Sequence, residues 1–465
     1  MKSSQVKNIC CIGAGYVGGP TMAVIADNCP SLKVNVVDIN EERIKKWNEK
    51  DFDRLPIYEP GLAEIIKRCR NKNLFFSIDI KKHIESADMI FLSVNTPIKK
   101  SGIGKGEASD LKYIESSTRE IAKYAKGETI IVEKSTLPVR TAETIKNILE
   151  SNDKSSNQQK FSVLSNPEFL AEGTAINDLE NPDRVLIGGE NPEAIISLEE
   201  IYLNWVDKNK ILKTNLWSSE LSKLVANAFL AQRISSINSI SAICETTGAD
   251  INEVSRAIGM DTRIGEKFLN AGPGYGGSCF KKDILNLVYL SKYYGLNEVA
   301  SYWQKVVDLN YWQQHRIRKI IVKKLFNNLT DKKIGIMGFS FKANTNDTRE
   351  SPAIQICKDL IEEGADLRIY DPKVNKLQIE KDLEQKPLNN NGDGSWTLCK
   401  SIKDIAIDAD AIVIATEWEE FKSLDWSVIS RLMRSPKWLF DTRGITNSKD
   451  IKQHNINYWK IGLGD

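Results

Sequence analysis

Short apolar runs alternate with amphipathic stretches along the first third of the chain. Ile9-Cys10-Cys11-Ile12 is an unbroken apolar run, the pattern of a strand buried on both faces, and a helical spacing runs on from Pro20. The same short pattern returns at 34–38, 87–94, 129–133 and 161–164. Such βα alternation predicts a doubly wound domain on a parallel sheet. From about residue 216 the pattern changes. Residues 219–246 contain no Pro or Gly, which predicts one long helix, and Lys223 and Asn227 stand four apart on one of its faces. Their neighbours Leu221, Leu224, Val225, Phe229 and Leu230 are apolar, so a lysine snorkelling out of a core helix is the plainer reading. A second helical run covers 299–325 and is rich in aromatic and β-branched residues. It suits a dimer interface, although aromatics alone more often mean core. The opening pattern then recurs at 333–339, 367–371, 410–416 and 438–441, which predicts a second doubly wound half. Two polar stretches, 151–160 and 388–394, read as an exposed loop and a flexible insert.

Composition narrows the function classes. A length of 465 residues implies two or three domains, and 41% hydrophobic with 27% charged residues describes an ordinary globular protein. The net charge of +2 balances 64 basic against 62 acidic residues without any charged block, so neither nucleic acid nor a membrane surface is expected as a partner. The eight cysteines show no CxxC spacing, which is reduced, cytoplasmic usage. The three histidines, His83, His315 and His454, are far apart, so no metal site is expected. The first residues lack a signal-peptide layout, and no apolar run approaches the ~20 residues needed to span a bilayer.

Against this background three groups of residues suggest chemistry. Gly13-Ala14-Gly15-Tyr16-Val17-Gly18 follows the first strand pattern and precedes a helix, and Asp38 stands twenty residues beyond Gly18. A GxGxxG in that context is the fingerprint of a Rossmann-like dinucleotide site: the glycines admit a pyrophosphate to the helix N-terminus and the acid meets the ribose. Asp38 would repel a 2′-phosphate, so NAD is favoured, while nearby Arg43 keeps NADP as a minor alternative. A glycine turn in a non-binding α/β domain is the bland alternative. Polar clusters also follow the later strand patterns and put Thr136, Glu168 and Glu172 at carboxyl ends of strands, where ligands bind in open sheets. Turn residues and helix caps are their plainer reading.

The third group is 272–283, where four glycines in six residues precede Cys279 and the helical pattern Ile284, Leu285, Leu287, Val288, Leu290. Glycines permit close approach to a ligand, and a helix N-terminus favours a thiolate. A buried, inert thiol is the alternative. In the second half the loop Gly338-Phe339-Ser340-Phe341-Lys342 lacks GxGxxG and should hold something other than a pyrophosphate in that manner. Lys342, Arg349 and Arg443 could meet phosphates, although surface salt bridges are the commoner fate of loop cations.

The stretches IGAGYVGGP (12–20), VNTP (94–97), EKSTLPVR (133–140), NPEFLAEGTA (166–175), SSELSKLVANAFLAQRISSINS (218–239), GYGGSCFKKD (274–283), GFSFKANTNDTRES (338–351) and FDTRG (440–444) occur in this order over nearly the whole chain. In these the sequence resembles the UDP-glucose 6-dehydrogenases of the UDP-glucose/GDP-mannose dehydrogenase superfamily, in their animal-type form. The resemblance implies two Rossmann-like doubly wound domains, 1–215 for NAD and 329–465 for the UDP-sugar, joined by a central helical domain, 216–328. It implies a two-step oxidation of UDP-glucose at C6 to UDP-glucuronate, consuming two NAD. Cys279 would add to the aldehyde, giving a thiohemiacetal and then a thioester that water hydrolyses. Glu168 would move the proton with a pKa near working pH, helped by a water that Thr136 and Asp283 hold, and Lys223 with Asn227 would stabilise the oxyanion at C6.

The resemblance further implies cofactor contacts at 13–18, Asp38, Arg43, Val94, Asn95, Thr96, Pro97, Ile98, Ser135, Thr136, Leu137, Glu172 and Arg349. Substrate contacts would come from Glu168, Phe169, Leu170, Ala171, Glu172, Lys223, Asn227, Asn270, Ala271, Gly272, Pro273, Gly274, Tyr275, Gly276, Phe341, Lys342 and Arg443. Arg263 would reach the substrate of a neighbouring subunit, which implies a homo-oligomer built on a dimer unit, with a hexamer as one candidate. One departure stands out: Asn270 occupies a position where a lysine is common. A dehydrogenase of UDP-N-acetylmannosamine or GDP-mannose, and a non-catalytic nucleotide-sugar sensor, are the competing readings.

Overall fold

The computed structural model describes residues 6–151, 159–385 and 394–464. The chain divides into two compact units, one of 1–226 with 285–296 and one of 227–284 with 297–465. The polar residues 152–158 and 388–393, expected as loop and insert, lie outside the described residues, whereas Lys160 already belongs to a strand.

The first unit holds strands β1 (Asn8–Ile12), β2 (Lys33–Val37), β3 (Leu74–Ser77), β4 (Met89–Leu92), β5 (Glu128–Glu133), β6 (Lys160–Ser165), β7 (Val185–Gly189) and β8 (Ile211–Thr214). Their order in the sheet is β3-β2-β1-β4-β5-β6-β7-β8. All neighbours pair in parallel except β6 with β7, which is antiparallel. The alternation of side chains along β1 divides the core. Ile9 and Cys11 pack with Val34, Phe91, Met22 and Trp47 on one face. Cys10 and Ile12 pack with Ile90, Leu92, Ile121 and Ile145 on the other. Both faces are therefore covered, which is why the strands read as continuous apolar runs. The two thiols are inert packing: burial pushes Cys11 up to about 12 and Cys10 further still.

The second unit repeats the plan with β9 (Lys333–Met337), β10 (Asp366–Tyr370), β11 (Ser395–Leu398), β12 (Ala411–Ile414), β13 (Trp438–Asp441) and β14 (Asn457–Lys460). Their order is β11-β10-β9-β12-β13-β14, all parallel. In each sheet the strand order reverses beside the first strand, β1 or β9, the switch point where ligands bind in open sheets. The helix Asn297–Lys324 buries Ala300, Trp303, Val307, Asn310, Gln314, Ile317 and Ile321, a three-four spacing that keeps one face inward. The other long helix spans Leu216–Thr247, and the helix expected from Pro20 begins two residues earlier, at Gly18.

Candidate active site

The glycine loop after β1 is built by steric need. Gly13 has φ +110° and donates its N–H to Val37 O at 2.8 Å; a Cβ there would lie 2.2 Å from Ser93 O. A Cβ on Gly18 would lie 2.0 Å from Gly13 O, so this residue is fixed by helix-to-loop packing. Gly15 differs. A Cβ there would meet no protein atom within 4 Å, which leaves room for a ligand to lie over the loop. The helix Gly18–Asn28 has no side-chain cap at Val17 and no acid in its first turn, which suits an anion. These residues fit a dinucleotide pyrophosphate.

Asp38 follows β2 and is buried. Its Oδ2 accepts from Ala14 N at 2.9 Å and from Arg43 Nη1 at 3.0 Å, and its Oδ1 accepts from Asn40 N at 2.9 Å. A carboxylate offers about four acceptor positions, so about one remains for a ribose hydroxyl. Arg43 is thereby tied to Asp38. The loops after β4 and β5 are laced together: Ser135 Oγ donates to Val94 O at 2.7 Å and Thr96 Oγ1 to Thr136 O at 3.1 Å. This brings 94–98 and 135–137 side by side, with Leu137 buried and Asn95 exposed.

After β6 the chain turns at Glu168. Its Oε1 accepts from Phe169 N at 2.8 Å and Leu170 N at 3.1 Å, and its Oε2 lies 2.8 Å from Lys134 Nζ. Burial would push the carboxyl up, but Lys134, the Phe169 N–H and Lys223 outweigh it and hold Glu168 below the usual carboxylate range. The expected pKa near working pH is therefore corrected: this acid is paired, and charged. Lys134, with three side-chain partners, is the residue that reading the sequence missed; its signal was only its place beside Ser135 and Thr136. Lys223 is buried with its Nζ 5.2 Å from the Phe169 ring centre. Beyond it the loop is held by carboxylates: Ala171 N donates to Asp178 Oδ2 and Gly173 N to buried Glu59 Oε1. Glu172 is half-buried in that loop.

In the second unit, Asp283 is buried in the first turn of the helix Phe280–Tyr293. Asn227 Nδ2 donates to its Oδ2 at 2.6 Å, and Lys282 Nζ lies 3.4 Å from its Oδ1. Cys279 precedes that helix. It is exposed, with Sγ 3.5 Å from Ser278 Oγ, whereas Cys399 is half-buried and the other six cysteines are buried. The inert-thiol alternative thus applies to those six and not to Cys279.

The glycines ahead of Cys279 need correction. A Cβ on Gly274 would lie 2.7 Å from Asn310 Oδ1, on Gly276 2.6 Å from Glu350 O, and on Gly277 3.1 Å from the Phe341 ring. At these three positions the glycine makes room for the protein's own groups, whereas a Cβ on Gly272 would meet nothing nearer than Arg443 Nη1 at 3.7 Å. Gly272 and Tyr275 are pinned as well, through Asn238 Oδ1 and Asn310 Oδ1 to their N–H groups at 2.8 Å each. Pro273 is buried, Ala271 half-buried and Asn270 exposed. Phe341 is thus the floor of the loop, and Arg443 is fixed beneath it by Phe341 O at 2.9 Å and Ala415 O at 2.8 Å. Lys342 is half-buried. Arg349 forks onto Asp347, with Nε 2.8 Å from Oδ1. Arg263 lies on Asp261 with a largely exposed side chain.

Comparison with known proteins agrees along the whole chain. Residues 7–206, 217–312 and 335–448 match the NAD binding, central and UDP binding domains of the UDP-glucose/GDP-mannose dehydrogenase family. The chain is 55% identical to the UDP-glucose 6-dehydrogenase of Caenorhabditis elegans, over 98% of this chain and 95% of that one. It is 53% identical to UDP-glucose 6-dehydrogenase 4 of Arabidopsis thaliana, over 98% and 96%. The structure of a UDP-glucose dehydrogenase from Pyrobaculum islandicum superposes with a TM-score of 0.84 at 27% identity, covering 100% of this chain and 99% of that one. With every domain matched, in order, and relatives this similar over nearly full length, the chain belongs to the UDP-glucose/GDP-mannose dehydrogenase family.

Proposed function

We propose that this chain oxidises UDP-glucose at C6 to UDP-glucuronate, using two NAD. The observation that carries the reading is Cys279, exposed at a helix start beside the buried Asp283–Asn227 pair, in a chain more than half identical to proteins named UDP-glucose 6-dehydrogenase. NAD, when bound, accepts hydride. Residues 13–18, Asp38, 94–98 and 135–137 would hold it, with Glu172 and Arg349 as further contacts.

The residues of this chain do the rest. Glu168 receives the proton of the C6 hydroxyl, with Thr136 and Asp283 assisting through a water. Lys223 and Asn227 stabilise the developing oxyanion, a task for a buried ammonium and an amide. Cys279 Sγ then bonds to the aldehyde carbon, whose oxygen takes up the proton. This restores a carbinol C–H that can leave as hydride, and the resulting thioester is cleaved by water to acid and free thiol. Phe341, Lys342 and Arg443 would hold the UDP-sugar together with 169–172 and 270–276. The test is stoichiometric: purified protein with NAD and UDP-glucose should yield two NADH per sugar. Turnover only with UDP-N-acetylmannosamine or GDP-mannose moves the reading to those sugars, and binding without turnover makes the protein a sensor.

We also propose that the chain works in the cytoplasm as a homo-oligomer, with Arg263 completing a neighbour's site. Supporting this are an exposed Arg263, exposed Ile243 on the helix Leu216–Thr247 and exposed Tyr302 and Trp312 on Asn297–Lys324. Among the described residues no helix is long and apolar enough to cross a membrane. Light scattering of the purified protein tests the assembly, and a monomer at working concentration would exclude it.

A further inference from the structure

Lys134 is a buried cation of the first unit. It stands directly after β5, and its Nζ contacts Glu168 Oε2 at 2.8 Å, Asn166 Oδ1 at 3.0 Å and Tyr202 Oη at 3.1 Å. An ammonium has three N–H donors, so each is used. The acceptors are themselves fixed. Tyr202 Oη donates to Asn166 Oδ1 at 2.6 Å, and Asn166 Nδ2 donates to Leu186 O at 2.8 Å. The network links β5, the turn after β6, β7 and the helix Pro192–Tyr202, and it ends on the carboxylate assigned to proton transfer. Burying a lysine costs much unless it is paired, and fold alone would be served by an apolar side chain.

We propose that Lys134 is a positioning residue for Glu168: it aims the carboxylate and keeps it ionised, leaving the second lone pair of Oε2 to face the reacting hydroxyl or its water. This rests on the role proposed for Glu168. Two backbone N–H groups occupy Oε1 and Lys134 occupies one position on Oε2, so of about four acceptor positions roughly one is left. The charged and titratable groups facing the pair are Lys223 from the helix Leu216–Thr247, Tyr202, and the Cys11 thiol of β1. Burial pushes Glu168 up, and Lys134, the Phe169 N–H and Lys223 together hold it down. Without Lys134, burial remains, opposed only by the Phe169 N–H and Lys223. The carboxyl then holds its proton to higher pH, and the acid limb of the rate profile moves up.

The experiment measures NADH formation from UDP-glucose against pH for the wild type, Lys134→Met, Lys134→Arg, Glu168→Gln and the Met/Gln double variant. Lys134→Met is expected to raise the acid limb of kcat by about one pH unit or more, a tenfold loss of rate below the limb, with KM changed less than about threefold. Lys134→Arg should return most of the limb. In the Glu168→Gln background Lys134→Met should cost less than about twofold, because its target is gone. An unmoved limb in folded Lys134→Met overturns the proposal. Where that variant does not fold, Tyr202→Phe keeps the test: it removes one acceptor of Nζ and should move the limb the same way by a smaller step, and a fixed limb there counts equally against it. Glu168→Gln with near-wild-type turnover overturns instead the role of Glu168 itself.

Discussion

The loops after β1 and β9 share one frame and differ in what they leave open. Gly13 N donates to Val37 O at 2.8 Å, and Gly338 N donates to Tyr370 O at 2.7 Å. Both glycines have positive φ, +110° and +90°, and in both a Cβ would collide with a residue just past the neighbouring strand, Ser93 after β4 or Thr416 two residues after β12. An aspartate follows the second strand in each case. Asp38 accepts from two backbone N–H groups and Arg43. Asp371 accepts from Phe339 N, Ser340 N, Lys373 N, Val374 N and Trp418 Nε1, which saturates the carboxylate. The same residue in the same place keeps about one acceptor position open in one half and is a structural knot in the other. The number of protein donors aimed at it makes the difference.

The sharpest test of committed against open groups uses the cysteines. Cys279→Ala should abolish net acid formation, by about a thousandfold or more, since no nucleophile remains for the second oxidation. Glucuronate made at a near-normal rate would show that the exposed thiol is dispensable. Next in size is Asp371→Ala. It strands several buried N–H groups at about 1–3 kcal/mol each, so denaturant unfolding should show a loss of about 4 kcal/mol while NAD affinity of the folded fraction stays unchanged. An Asp371→Ala protein of normal stability would break the comparison.

Asp38→Ala should do the reverse. NAD binding measured by calorimetry is expected to weaken about 10–100-fold, and stability should fall less than in Asp371→Ala because fewer donors are stranded. Unchanged NAD affinity would sink the ribose assignment. The smallest effect concerns an acid that no N–H faces. Glu133 is buried against the Glu220 carboxyl, and burial first, then Glu220, pushes it well above the usual range. The folded state therefore binds a proton that the unfolded state releases, so stability falls as pH rises from the ordinary glutamate range towards the raised folded value. Glu133→Gln should remove this penalty, raising Tm by a few degrees at pH 7 and much less at pH 4.5. An equal Tm change at both values would show that the carboxyl is ionised in the fold.

The strands at the centre of each sheet were legible because burial on both faces leaves an apolar run, as in Ile9–Ile12 and Ala411–Ile414. The outer strands β3, β7, β8, β11 and β14 were not recognised. Four of them have only four residues, and Leu74–Ser77 alternates between buried and half-buried positions, too short a signal to separate from a turn. The reversal of β7 was hidden for another reason: strand direction belongs to pairing, and pairing is not local.

The same division runs through the site. Sequence by itself determined the βα alternation, the GxGxxG with its acid twenty residues on, the long helix carrying Lys223 and Asn227, and Cys279 at a helix start. Each depends on spacing within one segment, which backbone geometry converts directly into position. Tertiary structure alone decided that Glu168 is paired with Lys134, thirty-four residues away, and that Asp371 is saturated while Asp38 is not. It also decided that Gly274, Gly276 and Gly277 make room for Asn310, Glu350 and Phe341. Charge state and steric need are set by atoms that meet only when distant segments pack. No spacing along the chain encodes which atoms those are.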